Sequence, residues 1–169
     1  MEARRLEAVD PGLGRQGSHN MKSVETRFGP IQYDPDQTIV FVEGMIGFEH
    51  LKHFVLVPTA EEDFLVCLQS VEDGAVAFLL VDPLRYFPSY LFTITDRERK
   101  RLGITAQDRV PNDELMALTT ITVHSDQSIT LNLAAPVLLV PGSNLAMQIV
   151  LEDGTYATRE PLPKASVDS

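Results

Sequence analysis

The chain has 169 residues, of which 44% are hydrophobic and 22% charged, enough for one domain with a real core and too few for two. No apolar run approaches the roughly 18 residues that span a bilayer, and no basic-then-apolar leader precedes the body, so a cytoplasmic protein with no membrane partner is expected. The formal net charge of −10 argues against a phosphate backbone as partner, and Cys67, the single cysteine, excludes an internal disulfide or a cysteine-built zinc cage.

Residues 1–20 carry Gly12, Gly14, Gly17 and Pro11 with mixed charge and no sustained periodicity. They are expected to be a disordered extension or a tag remnant, with the body in residues 21–162 and a flexible tail in 163–169. The body reads as short strands separated by turn chemistry. Val24, Thr26 and Phe28 alternate with polar residues, Gly29-Pro30 interrupts them, and Ile31 to Tyr33 resumes. Asp34-Pro35-Asp36 makes a turn, because proline fixes φ and aspartate bonds its own backbone. Thr38 to Val42 and His53 to Val57 are β-branched and aromatic runs. Phe64 to Ser70 and Ala75 to Val81 flank Glu72-Asp73-Gly74 as a hairpin, and their apolar character predicts burial on both faces or the lining of a closed core.

Thr95-Asp96-Arg97-Glu98 has the form of a capping box, with Leu102 as an apolar contact and Gly103 as the stop, so one helix is predicted there. A second short helix is predicted around Asn112 to Met116. Strands follow over Leu115 to His124, Ser128 to Leu133, Val137 to Val140, Ala146 to Leu151 and Thr155 to Arg159. The fold class expected is mainly all-β: a small antiparallel barrel or sandwich with one or two short helices.

Nothing in the sequence assembles a reactive centre. His50 and His53 fall into a strand context that separates them, and Cys67 lies in an apolar strand, where its thiol pKa should rise. Gly44-Met45-Ile46-Gly47-Phe48 lacks the third glycine and following helix of a dinucleotide site, so a close-packed turn is the better reading. No enzyme activity, cofactor or metal is therefore expected. Charge is distributed unevenly: between Pro30 and Asp82 stand ten acids and one base, Lys52. That acidic third suits either a solvated face or a basic protein partner. Arg97, Arg99, Lys100 and Arg101 on the predicted helix read as a solvated face that complements the helix dipole.

The segments Phe41-Val42-Glu43-Gly44-Met45-Ile46-Gly47-Phe48-Glu49, Cys67-Leu68-Gln69-Ser70-Val71-Glu72-Asp73 and Ala77-Phe78-Leu79-Leu80-Val81-Asp82-Pro83 occur in order. Pro88-Ser89-Tyr90, Thr130-Leu131-Asn132-Leu133-Ala134-Ala135-Pro136 and Gln148 follow them. In order and spacing, residues 22 to 162 resemble the FliW family of flagellar assembly factors. The resemblance implies a small antiparallel β-barrel without a catalytic site. It also implies two competing partners, flagellin and the translational repressor CsrA, whose grip on flagellin messenger RNA is weakened by binding away from its RNA surface.

On that reading, Glu61, Glu62, Asp63, Glu72 and Asp73, on neighbouring loops, are assigned to the CsrA-facing surface. Phe48, Glu49, Gln69, Asp82, Tyr90 and Asn132, all within the motifs, complete the candidate partner-binding set. For some of these a bracing role competes: Phe48 and Tyr90 suit a core, and Gln69, Asp82 and Asn132 suit loop-fixing hydrogen bonds, the preferred reading for those three. The rival functions are a small-molecule-binding β-barrel, which needs a lined cavity, and a structural component of an assembly, which needs a large self-complementary apolar patch.

Overall fold

The alternating and β-branched runs form strands, in a computed structural model that describes residues 21–59, 65–104, 109–110 and 114–163. In chain order these are β1 (Lys22–Thr26), β2 (Gly29–Tyr33), β3 (Ile39–Glu43), β4 (His53–Pro58), β5 (Leu65–Ser70), β6 (Ala77–Val81) and β7 (Phe92–Thr93). After the helix α1 (Asp96–Leu102) come β8 (Arg109–Val110), β9 (Met116–Val123), β10 (Ile129–Leu131), β11 (Val137–Val140), β12 (Leu145–Gln148) and β13 (Glu160–Pro161). Seven of them close a ring in the order β11-β12-β3-β4-β5-β6-β9, with β9 returning to β11. Every pairing round the ring is antiparallel except β12 with β3, which run parallel and close the seam.

Pleating sends alternate side chains to opposite sides of this wall, and both sides are used. Inside the ring lie Phe41, Phe54, Leu68, Leu80, Leu118 and Leu139, with the Phe41 and Phe54 rings edge-on at 5.0 Å. Outside the β9–β11–β12 arc is a second core, where Ala117, Leu138, Val140 and Met147 meet Tyr90, Phe92, Ile94, Leu102 and Val110. All four residues of β11 are therefore buried, which is why Val137-Leu138-Leu139-Val140 reads as an unbroken apolar run. The hairpin β5–β6 lines the inner core with one face and leaves Cys67 and Leu79 half-buried and Ala77 exposed on the other, so only its inner face is fully covered.

The helix is built as its sequence predicts. Thr95 accepts from the Glu98 N–H while Glu98 returns a bond to the Thr95 N–H, and Gly103 ends the helix at φ 72°. Its base-rich face is tied to the barrel: Arg97 and Arg101 both reach the Glu43 carboxylate, at 2.8 and 3.4 Å, and Arg101 also donates to the Val42 carbonyl. Asp34 accepts from the Asp36 N–H ahead of a 3-10 turn at Pro35–Gln37, the turn expected from Asp-Pro-Asp.

Three expectations change. Phe28 is not in a strand; Arg27 and Phe28 form the two-residue turn between β1 and β2, and Gly29-Pro30 starts β2 rather than interrupting the chain. Gly29 takes φ 103°, which only glycine adopts readily, and Pro30 sits on an edge strand where its missing N–H is tolerated. Thr155 to Arg159 forms turns, and the strand there is only the two-residue β13 against β10. Of the second predicted helix, Pro111 to Asp113 lie outside the described residues and Met116 already begins β9. Residues 1–20 and 164–169 also lie outside them.

Candidate docking surface

The acidic end of the β5–β6 hairpin is a braced loop. The Ser70 hydroxyl accepts from the N–H groups of Glu72 and Asp73, both at 3.0 Å, and Asp73 accepts from the Ala75 N–H at 3.0 Å. Gln69 is 3% exposed and turns its amide onto the carbonyls of Ser70, Gly74 and Val76, at 3.0 to 3.2 Å. Glu72 crosses to the start of β4. Its Oε1 accepts from the Lys52 and His53 N–H groups at 2.6 and 3.1 Å, and its Oε2 meets His53 Nδ1 at 2.9 Å. Burial pushes the Glu72 carboxyl up, but the His53 ring and the two backbone donors outweigh it and hold it below the ordinary carboxylate range. Glu72 and Asp73 thus present fixed negative charge on a loop with little freedom to lose on binding.

The other sequence-derived candidates scatter. Phe48 and Glu49 belong to a tight turn after β3, where Met45 bridges Phe48 and the Glu49 carboxylate accepts from the Gly47 N–H at 3.0 Å. That bond, first among its causes, holds the Glu49 carboxyl below its ordinary value. Gly44 is required here, because a Cβ would lie 2.8 Å from the Glu49 Cα. The half-buried Phe48 ring packs edge-on against Phe78 at 5.3 Å, bringing this turn to β6. Asp82, at the far end of β6 from the acidic loop, caps a second 3-10 turn by accepting from the Leu84 N–H at 3.0 Å.

Tyr90 belongs to the outer core, and Asn132 lies in the chain between Leu131 and Leu133, which belong to it too. Tyr90 donates to the Leu133 carbonyl at 2.7 Å and packs on Tyr156, and burial pushes its phenol well above the ordinary range. Asn132 accepts from the Ala135 N–H at 3.1 Å. Gln69, Asp82 and Asn132 therefore all brace their own chain. Glu61, Glu62 and Asp63 lie outside the described residues.

Sequence reasoning missed a cleft beside the acidic loop, because it depends on where the β1–β2 hairpin lands. Arg27 and Phe28 form one lip, and Cys67, Gly74, Ala77 and Leu79 form the floor and the other lip, around about 210 Å³ of space. The hairpin crosses so close to the loop that a Cβ on Gly74 would lie 1.7 Å from the Glu25 carbonyl oxygen. The available signal was Arg27-Phe28-Gly29 between two alternating runs, a two-residue turn with its apolar residue at the tip.

By contrast, a cavity among the inward-facing side chains holds about 10 Å³ and is lined by apolar residues such as Ile39, Phe41, Leu68 and Leu139. A drug-sized ligand needs some 300 Å³ or more, so the barrel interior has no room for one. Among the described residues, no group of three or more histidine, cysteine or carboxylate side chains is placed to hold a metal, and no helix is long and apolar enough to cross a membrane.

Comparison with known proteins is consistent across the whole body. The profile of the FliW protein family matches residues 22–162. Flagellar assembly factor FliW of Syntrophotalea carbinolica is 44% identical over 142 residues, covering 84% of this chain and 98% of that protein. Flagellar assembly factor FliW 2 of Desulfotalea psychrophila is 41% identical over 143 residues, covering 85% of this chain and 91% of that protein. A crystal structure of the flagellar assembly factor FliW matches with a TM-score of 0.75 at 28% identity, over 85% of this chain and 99% of that one.

Proposed function

The chain belongs to the FliW family, and from that membership we propose that it is a cytoplasmic, non-catalytic flagellar assembly factor that binds CsrA and flagellin in alternation. CsrA held by this protein loses affinity for flagellin messenger RNA, and accumulating flagellin takes the protein away and restores repression. Coupling of this kind is reciprocal: whatever binding here takes from RNA affinity, RNA takes from binding here.

The observation that carries the reading is the combination of a filled barrel with a braced, acidic rim. The cavity of about 10 Å³ among the inward-facing side chains is too small for a ligand, which favours the outer surface as the place where the protein works. The immobilised Glu72 and Asp73 offer that surface a charge complementary to an RNA-binding protein, whose own surface is basic. The same small cavity gives no support to a small-molecule-binding barrel, which requires a larger one.

The test is a competition. Titrated into CsrA bound to flagellin leader RNA, the protein is expected to release the RNA, and added flagellin is expected to reverse that release. RNA occupancy that is unmoved at saturating protein would overturn the proposal. Replacing Glu72 and Asp73 together by lysine should weaken CsrA binding at low salt and leave much less difference at high salt, as expected for screened surface charge.

A further inference from the structure

Phe28 is 87% exposed, the most exposed of the large apolar side chains among the described residues, and it stands at the tip of a two-residue turn. The cation beside it, Arg27, lies over its own ring at 5.9 Å from the centroid. Beneath the pair runs the outer face of β5 and β6, where register sets Cys67 opposite Leu79 and Gln69 opposite Ala77. Cys67, Ala77 and Leu79 make this face mainly apolar although it lies outside the barrel. Gln69, the polar side chain on this face, directs its amide nitrogen to three backbone carbonyls. The cleft between tip and face holds about 210 Å³, room for one large side chain but not for a drug-sized ligand or a helix. Arg27 is the charged residue that lines it, and three exposed carboxylates stand on the adjoining backbone: Glu25 on β1, whose carbonyl approaches Gly74, and Glu72 and Asp73 just before Gly74 on the loop.

We propose that this cleft is the anchor pocket of the docking surface, seating one large apolar side chain that a partner protein carries among cationic residues. The proposal rests on the reading of a basic partner given above and adds the place and the anchor. An exposed aromatic beside a pocket of single-side-chain size, with carboxylates on the adjoining strand and loop, has the anatomy of an interface hot spot, in which a buried anchor supplies affinity and nearby charge supplies steering. The partner's apolar residue enters between the Phe28 ring and Leu79, and its flanking cations meet Glu25, Glu72 and Asp73.

Cys67 is the chain's only cysteine, and it lines this cleft, so it reports occupancy without any substitution. The full chain would be alkylated with a small maleimide at mildly alkaline pH, because burial raises the thiol pKa. The measurement is made free, with saturating CsrA, and with saturating flagellin. In the CsrA complex the labelling rate of Cys67 is expected to fall at least about tenfold, and Phe28→Ala is expected to weaken CsrA binding by about tenfold or more while circular dichroism and the urea midpoint stay unchanged. Labelling at the free rate in a CsrA complex whose formation is confirmed by titration calorimetry would overturn the anchor pocket alone. Protection by flagellin but not by CsrA would overturn the cationic assignment. No complex with CsrA at all would instead overturn the reading on which the proposal rests.

Discussion

Glu72 is one carboxylate doing three jobs: it receives two backbone N–H groups at the start of β4 and the ring of His53, and so ties that strand to the acidic loop. Its pKa is held below the ordinary carboxylate range, so its contribution to stability is complete above that range and is lost as pH falls through its folded value. The difference in urea midpoint between the native chain and Glu72→Gln is therefore expected to be largest near about pH 7 and to shrink towards about pH 3. A difference that grows on acidification would refute the assignment. Thr119 is the opposite case: fully buried, with a hydroxyl that has no partner among the described residues. Thr119→Val keeps the shape and removes the stranded polar group, so it should raise stability by about 1 kcal/mol, read as a higher urea midpoint at unchanged slope. Neither residue's situation was legible in the sequence. Glu72 read as a charge and Thr119 as a strand former, because their partners, or the lack of one, come from strands distant along the chain.

At the scale of elements, what depends on neighbours in sequence was readable and what depends on neighbours in space was not. The capping box at Thr95 and Glu98 and the left-handed Gly103 satisfy backbone groups within one helical turn, so the residues alone announced α1. Thr95→Ala removes the acceptor of the Glu98 N–H and should cost about 1 kcal/mol of stability, measured by denaturant unfolding. The Glu72-Asp73-Gly74 hairpin was legible for the same local reason. Phe28 was not, since alternation continues through the turn and only the partner register of β1 and β2 shows that the chain reverses there. Thr155 to Arg159 misled in the other direction: β-branched and aromatic residues suggested a strand, but Tyr156 instead bonds Leu91 through its hydroxyl and packs on Tyr90.

For the whole molecule, strand spacing pointed to an antiparallel barrel or sandwich and the family resemblance to a barrel, yet neither announced a wall with a core on each side. Both cores meet at β11, where Val137 and Leu139 face the ring interior and Leu138 and Val140 face the outer cluster. Leu138→Ala would open a cavity in the outer core and should destabilise the protein by about 2–5 kcal/mol, seen as a large fall in unfolding midpoint with the secondary structure preserved until unfolding. The location of the acidic third was legible as a count of charges. That its loop adjoins a cleft was not, because the cleft exists only once β1 and β2 have folded over the loop at Gly74.

The seam between β3 and β12 joins residues 39–43 to residues 145–148, so the first stave of the barrel waits for the last. Until Gln148 has been synthesised, β3 carries an edge with nothing to hold it, a sticky margin open to any extended chain nearby. Long-range closure of this kind slows folding and cannot be completed before β12 has been made. A chain cut before Leu145 is therefore expected to be recovered as aggregate, not as a smaller soluble barrel.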